Sequence, residues 1–158
     1  MFSRKDMGFH STAGVSGLCN LKLFGPDGEL KDEREVHNQV TLLFDAHIAD
    51  ALSDIGEAVI GYMGIGTATG GKSEASTDLE TLLDLNALTS TTQGAGAADN
   101  TVIYIGDWAA ADGTGALVEA GIYVGNATGD LMCYADFAVV NKGAADTLQI
   151  TWTVTISH

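Results

Sequence analysis

Eight residues, Gly66-Thr67-Ala68-Thr69-Gly70-Gly71-Lys72-Ser73, have the G-x-x-x-x-G-K-S spacing of a nucleotide-binding P-loop. In that chemistry, backbone amides cradle the phosphates, the lysine neutralises them and the serine holds Mg²⁺. Val59 to Ile65 could supply the preceding strand, and Ile103-Tyr104-Ile105-Gly106-Asp107 a loose Walker B. Three features oppose the match. A working P-loop starts its helix at the Lys-Ser pair, so that the helix N-terminus faces the phosphates. Here Thr77-Asp78-Leu79-Glu80 has the spacing of a capping box and predicts a short helix from there through Leu85, several residues too late. Glu74 would repel the phosphates, and too few crossover helices follow for a nucleotide-binding fold. The P-loop spelling is therefore read as chance, and alanine at Lys72 is expected to leave stability unchanged.

Other reactive side chains are scattered. His10, His37, His47 and His158 pair with no Cys, Asp or Glu at a metal-ligand spacing, and no EF-hand loop is spelled, so neither metal nor cofactor is expected. Gly14-Val15-Ser16-Gly17 lacks the spacing of a nucleophile elbow. Glu119 is the odd carboxylate in an apolar strand, and pairing with a backbone group or a cation at a sheet edge explains it better than acid–base catalysis. No enzymatic activity is expected. Asn126-Ala127-Thr128 matches a glycosylation sequon by chance.

The elements that carry these residues alternate at the period of strands. From Thr147 to Ile156, Leu148, Ile150, Trp152, Val154 and Ile156 face one side, and Thr147, Gln149, Thr151, Thr153 and Thr155 the other. Cys19, Leu21 and Leu23 open a hairpin that turns at Gly25-Pro26-Asp27-Gly28 and returns as a charged edge strand, Glu29 to Asn38. The period then changes. Val40, Leu43, Phe44, His47, Ile48, Ala51 and Leu52 recur at helical spacing. Beyond the loop 66–76 and the expected helix at 77–85, strands are predicted at 87–92, 101–109, 117–124, 131–140 and 148–156, separated by glycine-rich turns. The expected fold is mainly β, an antiparallel β-sandwich or jelly-roll-like domain with one or two short peripheral helices. Residues 1–17, polar and Gly/Ser-rich, form an N-terminal arm, and 18–158 a single domain.

Composition narrows the partners. At 158 residues the chain can bury a sizeable core. The cysteines Cys19 and Cys133 read as reduced core residues. A net charge of -14 with only seven Lys and Arg argues against nucleic acid, and no stretch approaches the ~18 apolar residues of a membrane span. No apolar leader follows Met1, so synthesis in a cytoplasm is expected.

Several segments in order resemble a family of small tailed-bacteriophage virion proteins. These are Gly28-Glu29-Leu30-Lys31, Val36-His37-Asn38-Gln39-Val40-Thr41, Met63-Gly64-Ile65-Gly66-Thr67, Asp78-Leu79-Glu80-Thr81-Leu82-Leu83, Glu119-Ala120-Gly121-Ile122-Tyr123 and Asn141-Lys142-Gly143. The resemblance implies a non-enzymatic protein located in the virion, with no catalytic residues to carry over. A capsid-surface decoration or cement protein stabilising the head is the first expectation. A tail-fibre or tail-adaptor subunit is the second, and a small P-loop nucleotide-binding protein the third. The implied partner is the major capsid protein or another virion protein, together with further copies of the chain in a homo-oligomer, for instance a trimer. Candidate partner contacts are Arg4, Lys5 and Phe9 in the arm and Phe44 and His47 on the helix.

Overall fold

Two five-stranded antiparallel sheets face each other across an apolar core. In the computed structural model, residues 14–53, 56, 58–125 and 130–157 are described. The first sheet has the order β2 (Leu30–His37), β1 (Gly14–Phe24), β10 (Thr147–Ser157), β7 (Thr101–Trp108) and β6 (Ser90–Gln93). The second runs β3 (Gln39–Val40), β9 (Leu131–Lys142), β8 (Gly115–Tyr123), β4 (Tyr62–Gly66) and β5 (Leu82–Ala87). One helix, α1 (Leu42–Leu52), and one 3₁₀ turn, Gly96–Ala98, complete the described elements.

Period-2 alternation becomes layered packing. The register aligns Cys19, Trp152 and Tyr104 in one row across β1, β10 and β7, then Leu21, Ile150 and Gly106, then Leu23, Leu148 and Trp108. All three rows face Met63, Ile65, Leu117, Ile122, Cys133 and Val140 of the other sheet. Gly106 is required by this interdigitation, since a Cβ there would stand 2.9 Å from the Met63 sulfur. Both cysteines are free and buried, and burial pushes each thiol up to about 12.

The sandwich with a peripheral helix is thus as expected, and β2 is an edge strand as its charges foretell. Four local expectations need correction. β1 begins at Gly14, so 14–17 belong to the sheet, pairing with Val154 to Ser157, rather than to the arm. Val40 pairs with Cys133 in β3 and lies outside the helix, which buries Phe44 and leaves Leu52 85% exposed. Residues 87–92 are not one strand, because the chain leaves the second sheet at Ala87 and enters the first at Ser90. The helix expected at 77–85 is absent: β5 occupies Leu82–Ala87, paired with β4. The backbone amides of Glu80 and Thr81, which a helix start would expose, donate instead to the Glu119 carboxylate at 2.9 and 2.8 Å.

Candidate functional site

The loop 67–81 lies over the outer face of the second sheet, where Leu79, Tyr123, Leu131 and Tyr134 form a small apolar cluster. Two side chains of β8 hold it down. The Tyr123 hydroxyl donates to Asp78 Oδ1 at 2.7 Å and accepts the Leu79 N–H at 3.3 Å. Glu119, fully buried, accepts the Glu80 and Thr81 amides and the Lys72 ammonium, whose Nζ is 2.6 Å from Oε2. Gly66 makes room for this, because a Cβ there would collide with the Glu119 carboxylate and the Thr81 carbonyl.

The Lys72 side chain is 2% exposed; its amine reaches Asp136 Oδ1 at 2.9 Å and sits 5.3 Å from the Tyr134 ring centroid. Burial pulls its pKa down, but the hydrogen bonds and charges of Glu119 and Asp136 outweigh it and leave the pKa raised. In this arrangement the lysine of the G-x-x-x-x-G-K-S run is turned onto a carboxylate pair, and Ser73 belongs to a turn closed by Ser76 N–H to Ser73 carbonyl at 3.0 Å. The expectation that Lys72 carries no structural weight is therefore corrected. Glu119 does pair with a cation and with backbone, as foreseen. However, β8 lies between β9 and β4, so the pair is mid-sheet and not at an edge.

A second buried tie closes one end of the sandwich. Asp146, in the β9–β10 turn, accepts Lys31 Nζ on both oxygens at 2.8 Å and the Gly143 N–H at 2.8 Å. Lys142, 2% exposed, donates to the Ala109 and Asp146 carbonyls. Burial lowers the Lys142 pKa more than Asp146, Asp112 and Asp84 restore it. The Asp146 carboxyl is held below its usual 3.8, first by the Lys31 hydrogen bond and then by Gly143, against the effect of burial. A depressed folded pKa contributes stability that is present above the unfolded value and lost as pH falls through the folded one. Unfolding free energy is thus expected to fall as pH drops below 3.8, and Asp146→Asn to shallow that fall in an acid titration. An unchanged acid slope would show that the tie contributes nothing.

The sequence-derived contacts are only partly placed. Arg4, Lys5 and Phe9 lie outside the described residues, as do His10, His158 and the sequon Asn126-Ala127-Thr128. Phe44 and His47 stack at 6.5 Å between ring centroids, Phe44 buried and His47 half-buried. His47 lines a cleft of about 170 Å³ with Asp50, Asp130 and Met132, and a second cleft of about 220 Å³ is lined by Val15, Ile48 and Ile156 where β1 begins. Both flank α1.

The ion pair Lys72–Glu119 was the arrangement that sequence reasoning missed. Its signal was there, namely an unexplained carboxylate in an apolar strand and few lysines to satisfy it. Of the seven cations, the five in the described residues are all engaged: Lys22 with Glu33, Lys31 with Asp146, Arg34 with Asp32 and the carbonyls of Ala138 and Val139, and Lys72 and Lys142 as above. Among the described residues no three His, Cys, Asp or Glu are grouped to hold a metal, and no helix is long and apolar enough to cross a membrane. Compared with protein-family models, curated proteins and solved structures, the chain matches none.

Proposed function

We propose that this chain is a non-enzymatic structural protein of a tailed-bacteriophage virion, a decoration or cement protein bound to the capsid surface in many copies. The observation that carries the reading is the use of charge. Every cation of the described residues faces a protein acceptor, the two most buried lysines beneath the loop 67–81 and at one end of the sandwich, which leaves no cluster of unpaired cations among those residues to draw a phosphate or a substrate carboxylate. The segments that carry the family resemblance serve the same end: Glu119 and Asp78 to Thr81 form one tie, and Lys31, Lys142 and Gly143 meet at Asp146 in the other. A protein so organised offers shape and apolar contact. A cement protein acts by burying surface across joints between capsid subunits, favouring the assembled state by mass action.

The arm is the docking device in this reading, because Arg4 and Lys5 are the two cations outside the described fold and Phe9 adds an apolar anchor. A protein beginning at Gly14, just before β1, is expected to fold with near-native stability yet bind particles lacking the protein much more weakly than the full chain. Raised salt should weaken full-length attachment only modestly, apolar contacts dominating. Undiminished occupancy of purified particles by the truncated protein, read on a gel, would move attachment to the folded domain, with Phe44 and His47 on α1 the next candidates. Binding to tails instead of heads would favour the tail-fibre or tail-adaptor reading. ATP or GTP is expected to leave the melting temperature unchanged, and a nucleotide-dependent rise of several degrees would overturn the structural reading.

A further inference from the structure

Glu119 and Asp136 stand directly opposite each other on β8 and β9, with the Lys72 amine between them at 2.6 and 2.9 Å. Lys72 and Glu119 are cut off from water, whereas Asp136 keeps 39% of its side chain exposed. Glu119 is fully buried and also accepts two backbone amides, whereas Asp136 is open to solvent on one side, so the two carboxylates differ in role. Glu119 is the fixed base, and Asp136 is the carboxyl that can react. We propose that Lys72 and Asp136 form an intramolecular isopeptide bond, with Glu119 as the proton shuttle.

The step balances within the cluster. The Lys72 nitrogen attacks the Asp136 carboxyl carbon, a C–N bond forms, the C–OH bond breaks and one water leaves. Glu119 takes a proton from the nitrogen and returns one to the departing hydroxyl. The resting set of an ammonium and two carboxylates holds the same protons as the reactive set of an amine, a carboxylic acid and a carboxylate. No outside acid, oxidant or co-reactant is therefore needed. Proximity replaces a bimolecular encounter, and the Tyr134 ring and the loop 67–81 keep water from the amine. The carboxylates that position Lys72 also keep it largely protonated, so the amine is a minority species and the bond forms slowly, as a maturation of the folded protein. Its product would tie the loop covalently to β9, and the protruding P-loop-like segment would become a fixed strap.

Intact mass spectrometry of the purified full chain, aged under native conditions and then denatured, tests this. The expected result is a growing species lighter by one water, and a digest containing a branched peptide that joins Lys72 to Asp136. Lys72→Arg and Asp136→Ala are expected to keep the full mass, and Glu119→Gln to slow the change. Asp136→Asn is expected to give the same cross-linked product with loss of ammonia in place of water. Full mass in the aged, folded wild-type protein would overturn the proposal, and so would a water loss confined to a linear peptide, as in a cyclic imide at Asp136. The wild-type measurement stands even where a variant fails to fold.

Discussion

Lys72→Ala is expected to destabilise the protein by about 3–5 kcal/mol, the cost of removing one partner from a buried ion pair. The magnitude follows from what is left behind. Glu119 is fully buried, and without the ammonium it keeps only the Glu80 and Thr81 amides against the cost of an uncompensated charge. The loss would spread, because the same carboxylate anchors the loop 67–81, and the Glu74 carbonyl of that loop accepts the Leu42 N–H at the start of α1. Replacing Lys72 and its fully buried partner together, as in Lys72→Met with Glu119→Gln, should cost less than Lys72→Ala alone, since the one charge left behind, Asp136, is 39% exposed and solvated. Denaturant unfolding of the three proteins checks this. A Lys72→Ala effect within about 0.5 kcal/mol of zero, the range of ordinary surface substitutions, would show that the lysine is solvated and the loop free.

Trp152→Ala is expected to cost a similar amount, about 3–5 kcal/mol, through lost burial and the cavity left behind. Trp152 is fully buried at the centre of the first sheet, between Cys19 of β1 and Tyr104 of β7. The chain makes room for it at Gly17, where a Cβ would come within 3.1 Å of the indole nitrogen and collide with the Asn38 amide. That nitrogen has no hydrogen-bond partner among the described residues, so the indole contributes through packing and gives back part of it as an unmet donor. Thr153→Ala, on the opposite face between Leu18 and Ile103, should be mild. Equal effects at the two positions, measured by thermal or denaturant unfolding, would mean that the outer face is also buried, as in an oligomer.

These two residues separate what was legible in the sequence from what was not. The strand at Thr147 to Ile156 was readable residue by residue, because a period of two in side-chain type maps directly onto two faces when one face is buried. Leu148, Ile150, Trp152 and Val154 are inside as that period requires, and only Ile156, near the strand's end and 49% exposed, escapes it. The first hairpin, its turn at Gly25-Pro26-Asp27-Gly28 and the helix around Phe44 were legible for the same reason, since each depends on spacing within a dozen residues. Of the proposed contacts, Phe44 and His47 were correctly set on one helix, whereas Arg4, Lys5 and Phe9 fall outside the described residues.

Lys72 was read as inert once its P-loop spelling was set aside as chance, and Thr77 to Glu80 as a helix start from their capping-box spelling, because each segment was judged by its local motif alone. Such motifs state which groups a segment offers, and not which groups elsewhere will claim them. Glu119, 47 residues from Lys72 and 38 from Thr81, claimed both the ammonium and the amides. By itself the sequence determined the β-class, the strand faces and the cations' scarcity, all properties of short-range pattern and composition. Only the tertiary structure decided where each scarce cation would go, because a buried carboxylate must be paired by whatever donors the fold brings within reach, and that reach is measured through space rather than along the chain.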